Sequence, residues 1–137
     1  LIDFAETRYS HVLRDIVKLE AVIKGEMVPI TSREALGELV GMDLPFLSAR
    51  ALSDIPELPH TIGGPALEKA FRCVRNLRQY ADMVTPGDDD ISQYYLALLP
   101  YTLNLLSYTS VSAYAKEYGW IAASLICRRL MEEEDRN

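Results

Sequence analysis

The chain has 137 residues, 49% of them hydrophobic and 25% charged. That is enough to bury about two-thirds of the unfolded surface, which excludes disorder and removes any need for a metal or disulfide framework. A formal net charge of -6 works against binding a phosphate backbone, so nucleic acid is an unlooked-for partner.

Ile2, Tyr9, Ile16 and Ile23 recur at heptad spacing, with Ala5, Val12 and Leu19 between them. The pattern predicts a first helix over residues 2–24, ended by Gly25. Leu13 and Val17 widen the stripe toward bundle packing, and the same heptads offer a homo-oligomer contact through residues 2–24. Thr31 and Glu34 read as a capping box for a second helix that Gly41 ends. Asp43 then caps a third, with Pro45 in its first turn, Leu47, Ala51 and Leu52 inward, and Pro56 as its stop.

Residues 55–64 hold two prolines and two glycines and predict a loop. Pro65 opens a fourth helix to about Val84, with Leu67, Ala70, Phe71, Val74, Leu77, Ala81 and Val84 as its apolar face. Asp88, Asp89 and Asp90 suit the start of a fifth helix, and their side chains diverge too much to hold a metal. That helix carries Tyr94, Leu98, Tyr101, Leu105 and Tyr108 on a single stripe. Pro100 predicts a kink or break near Leu96–Leu99. The last helix runs from about Val111 to Glu133, where Gly119 marks a close crossing or a break beside Trp120.

The expected fold is all-α, a single compact bundle of about six helices. One of these is Pro-kinked or broken near Pro100. One domain covers 1–137. The chain opens at Leu1 inside an apparent helix and ends on an acidic run, which reads as a piece of a longer protein. No apolar run is long enough to span a membrane. Cys73 and Cys127 lie among apolar residues as free thiols, which favours an intracellular setting.

No catalytic, cofactor-binding or metal-ligating residue is singled out. His11 and His60 are isolated from each other and from the cysteines. Arg75-Asn76-Leu77-Arg78-Gln79-Tyr80 resembles the short motif of the all-helical HEPN ribonucleases, where an arginine precedes a histidine by a few positions. The resemblance would imply an RNA-cleaving helical domain. Here Tyr80 takes the histidine's place, and a phenol is a poor proton carrier at neutral pH.

The expected function is therefore a non-catalytic protein–protein interaction or oligomerisation domain of a larger protein. Its partner would be a protein, for example a helix laid in a groove. The expected contact residues are Tyr94, Tyr101, Leu105 and Tyr108 of the stripe, with Arg72 and Arg75 of the basic fourth helix. The alternatives are a small-ligand-binding bundle with a tyrosine-lined pocket, or a HEPN-like domain lacking its histidine. A roomy tyrosine-lined cavity would favour a ligand, and a solid core with an exposed aromatic patch would favour a partner.

Overall fold

The computed structural model describes residues 4–60, 62–85 and 91–136, with side chains from residue 11 onward. It comprises α1 (Phe4–Val22), α2 (Arg33–Ser48), α3 (Pro65–Val84), α4 (Ser92–Asn104) and α5 (Ala113–Arg136). A π-helical turn, Ile23–Met27, extends α1, and a 3-10 turn, Leu105–Ser107, extends α4. Among the described residues there is no strand. α1 packs on α3 and α4, and α5 packs on α2 and α4.

Among the described residues the fold is all-α as expected, with five α-helices in place of about six. The difference lies in α2, which runs on from the second expected helix through the first residues of the third and ends at Ser48, so Ala51 and Leu52 lie beyond it in a turn and Pro56 is not its stop. Gly41 costs about 1 kcal/mol against alanine, yet Leu36, Leu39, Met42, Asp43 and Phe46 form one buried face across it. Burial of that face carries the helix through. Pro45 removes only the bond that its N–H would have given the Gly41 carbonyl. Asp43 is thus a buried mid-helix residue rather than a cap. The start of α2 is one residue later than the capping box implied. Ser32 Oγ, not Thr31, accepts the Ala35 N–H at 3.1 Å.

α3 has the expected bounds. Gly64 at its N-cap takes φ +87, a left-handed value open to glycine, and Pro65 follows at the first helical position. α4 continues through Pro100 without a break and tightens into the 3-10 turn only at Leu105. Ser112 Oγ opens α5 by accepting the Ala115 N–H at 3.1 Å. The Asp88–Asp90 run lies outside the described residues.

Gly25 does not end the first helix. It lies in the π-helical turn, where a Cβ would sit 2.5 Å from Leu105 Cδ2. On the other side, a Cβ on Gly119 would meet Leu105 Cβ and the Thr102 carbonyl, each at 3.4 Å. Leu105, 1% exposed, is therefore seated between two glycines. Gly119 marks the close crossing of α4 and α5.

Two apolar clusters fill the bundle. One gathers Leu39, Phe46, Phe71, Val74 and Tyr118 from α2, α3 and α5. The other gathers Val17, Ala81, Ile91, Tyr94, Leu98 and Ile126 from α1, α3, α4 and α5. The heptad reading of α1 is shifted by this packing. Leu19 points outward at 51% exposure, whereas Glu20 and Lys24 turn inward.

Candidate functional site

Charged residues occupy the seam between the two clusters. Glu20, Lys24, Asp43 and Arg78 are all buried there. Four bare charges in a low-dielectric interior are untenable unless each meets an opposite charge, and here each does. Arg78 Nη2 and Nε reach Glu20 Oε1 and Oε2 at 2.8 and 3.3 Å. Lys24 Nζ lies 2.6 Å from Glu20 Oε1 and 2.6 Å from Asp43 Oδ1.

Tyrosines complete the network. Tyr94 donates to Glu20 Oε2 and Tyr118 to Asp43 Oδ2. Tyr95 donates to the Phe46 carbonyl at 2.7 Å while its hydroxyl oxygen accepts from Arg78 Nη1 at 2.9 Å. The rings of Phe46, Tyr94 and Tyr95 surround the guanidinium, their centroids 4.8, 4.9 and 5.2 Å from Arg78 Cζ. That box adds cation–π attraction to the ion pair.

The titrations follow from this arrangement. Burial alone would raise the Glu20 pKa, but Arg78 and then Lys24 outweigh it and bring it to about 2. Burial would lower the Lys24 pKa, but Asp43 and Glu20 outweigh it and raise it. Burial and the adjacent carboxylates push the Tyr94 and Tyr118 phenols well above their usual range. Glu20, Lys24 and Arg78 thus stay ionised at neutral pH, and the Tyr94 and Tyr118 phenols stay neutral.

A cavity of about 20 Å³ adjoins the network, with Lys24, Asp43, Arg78, Tyr95, Thr102 and Tyr118 in its wall. Space of that size suits one water-sized molecule and is too small for an organic substrate. Among the described residues, no three His, Cys, Asp or Glu side chains converge as for a metal. The interior is thus a lattice of paired charges, with Asp43 Oδ1 held only by its ion pair to Lys24, and it has no room for an organic ligand.

The outer surface is different. Trp120, Cys127 and Met131 lie on one stripe of α5, facing Leu99 and Leu103 of α4 across a groove of about 590 Å³. Trp120 is 62% exposed and Met131 66%. Arg128, Glu132 and Asp135 form a charged rim along one side. No protein family, no curated protein and no solved structure matches the chain.

The expected contact residues are dispersed. Tyr94 and Leu105 are interior, Tyr101 is half-buried, and Tyr108 is exposed past the end of α4. Arg72 is exposed and paired with Glu68 at 3.0 Å. Arg75 is half-buried on the same helix, and among the described residues its Nε has no hydrogen-bond partner. Within the arginine motif, Arg78 points into the core and Tyr80 outward at 51% exposure, so the two share no site.

The groove escaped the sequence reading because α5 carries two apolar faces. The face through Tyr114, Tyr118 and Ala122 packs into the bundle. The second, through Trp120, Ala123, Cys127 and Met131, has the same helical spacing.

Proposed function

We propose that the chain is a helical protein-interaction domain of a larger protein, and that the α4/α5 groove receives an amphipathic helix of its partner. The observation that carries this reading is the exposed run of Trp120, Cys127 and Met131 beside Leu103, which is itself 40% exposed. Single exposed apolar side chains are ordinary, but a contiguous groove of them costs hydration with no folding benefit. Trp and Met are also the types enriched where partners anchor. A helix presenting apolar residues at i, i+3 or i+4, and i+7 fits such a groove, and the Arg128, Glu132 and Asp135 rim supplies orientation.

A tyrosine-lined ligand pocket has less support, since the interior cavity measures about 20 Å³. Cys73 and Cys127 are free thiols and Cys127 is exposed, which fits a reducing, intracellular compartment.

The test is selection of displayed amphipathic helices against the purified chain, followed by binding in solution. Bound peptides should shift Trp120 fluorescence to the blue. Trp120→Glu should weaken binding about 30-fold or more, the scale of an interface anchor. Tyr80→Glu, on exposed α3 surface, should leave it unchanged. Failure to select any helix, or binding indifferent to Trp120→Glu, would overturn the reading.

A further inference from the structure

A second pocket lies on the opposite flank of α5, between its last turns and the end of α2. It measures about 450 Å³, and Arg50, Arg128, Arg129 and Arg136 all line it. This concentration of guanidinium groups runs against a chain of net charge -6.

The local ion pairs do not balance these charges. Arg128 Nε is 3.2 Å from Glu132 Oε1. Glu133 pairs with Arg129 and stands 3.7 Å from Arg136 Nη1. Among the described residues, two carboxylates thus pair with three of the four guanidinium groups, and about two positive charges are left over. Asp54 accepts the backbone N–H of Arg50 at 3.3 Å, and among the described residues the Arg50 guanidinium has no ion-pair partner.

The end of α2 would ordinarily repel an anion, because its last carbonyls carry negative partial charge. Arg129 removes that obstacle. Its Nε and Nη2 bind the Leu47 and Ala49 carbonyls at 2.8 and 3.1 Å. Arg129 is thereby committed to the fold, and Arg50, Arg128 and Arg136 remain to meet a ligand.

We propose that this pocket binds a phosphate monoester. Its dianion is held by Arg50, Arg128 and Arg136, and its organic body lies against Leu47 and Leu125. A phosphate monoester carries about -1.5 to -2 near neutral pH, which matches the surplus charge, whereas a carboxylate supplies half of it. The planar guanidinium fork fits phosphate oxygens two at a time. The volume falls in the range of roughly 300–1,000 Å³ usual for small-ligand sites. The pocket shares Arg128 and Glu132 with the rim of the Trp120 groove, whereas Arg50 and Arg136 belong to the pocket alone, so variants at those two positions test it separately.

Phenyl phosphate titrated calorimetrically into the intact chain provides the test. It should bind, and phenyl sulfate, of the same shape with one charge, should bind about tenfold or more weakly. Inorganic phosphate, lacking the ring, should also bind less well than phenyl phosphate. Affinity should fall between pH 7.5 and pH 5 as the phosphate regains its second proton near pH 6. Arg50→Gln and Arg136→Gln, at exposed positions, should each weaken binding about tenfold or more with an unchanged melting curve. Arg50→Lys should recover part of the loss, since it restores charge without the fork. Absence of binding at millimolar phenyl phosphate would overturn the assignment. So would equal affinity for phenyl sulfate, or indifference to Arg50→Gln and Arg136→Gln.

Discussion

Arg78 grips Glu20 with two nitrogens, at 2.8 and 3.3 Å, across 58 residues of sequence and inside the least accessible part of the bundle. Both side chains are nearly free of solvent, at 3% and 0% exposure. Water cannot replace either partner, and the consequences of removing one or both differ.

Loss of a single partner leaves a buried charge unanswered. Glu20→Gln or Arg78→Met should each destabilise the fold by about 3–5 kcal/mol in urea unfolding. The double variant Glu20→Leu/Arg78→Met should cost clearly less than the sum, because Lys24 keeps Asp43 at 2.6 Å and the apolar pair fills similar volume. Strict additivity would show that the pair's mutual attraction is not what the single variants lose.

Stability should form a plateau between about pH 4.5 and pH 10. On the acid side, Glu20 is depressed from 4.5 to about 2. A carboxyl whose folded pKa lies below its unfolded value stabilises the fold above the unfolded value, and that gain drains as pH falls toward 2. On the alkaline side, Lys24, Tyr94 and Tyr118 bind their protons more tightly when folded. Their contribution is complete below pH 10 and is lost as the pH rises past it. Urea midpoints across pH should show both limbs. Glu20→Gln should flatten the acid one, and an unaltered acid slope in that variant would refute the assignment.

The two glycines around Leu105 should respond differently to a methyl group. Gly25→Ala places a Cβ 2.5 Å from Leu105 Cδ2 and 3.1 Å from its Cγ, so the whole buried side chain must shift. A cost of about 1–3 kcal/mol is expected, reduced by a compensating Leu105→Val. Gly119→Ala meets its nearest atoms at 3.4 Å and gains about 1 kcal/mol of helix propensity, so it should lie near neutral. Thermal unfolding of the three variants reads this directly. Equal effects at both glycines would mean that Leu105 is not confined between them.

Where local chemistry decides the structure, the sequence was legible. Pro65 and an unbroken apolar period give α3 its bounds, Pro65–Val84. Where distant partners decide it, local signals misled. Gly41 and Asp43 look like a stop and a start. Asp43 is instead a core residue because Lys24 and Tyr118, the latter 75 positions away, meet it. Glu20 and Lys24 look like solvent positions on a heptad wheel, yet Arg78 and Asp43 draw that face inward and leave Leu19 outside. The α4/α5 groove was readable as a second apolar stripe on α5. The arginine pocket was not, since Arg50 and Arg136 come together only in three dimensions.

The charge lattice at the seam also fixes alignment. A slip of α1 by one helical turn along its neighbours, about 5.4 Å, would place Lys24 near where Glu20 now stands and bring two cations face to face. Apolar side chains tolerate such sliding at modest cost, because one leucine substitutes well for another. Glu20, Lys24, Asp43 and Arg78 do not interchange, and their charges cancel in one alignment of α1, α2 and α3. Rival packings of the same helices are thereby penalised by stranded ions, and that penalty holds the outer surfaces of α4 and α5 in a single arrangement.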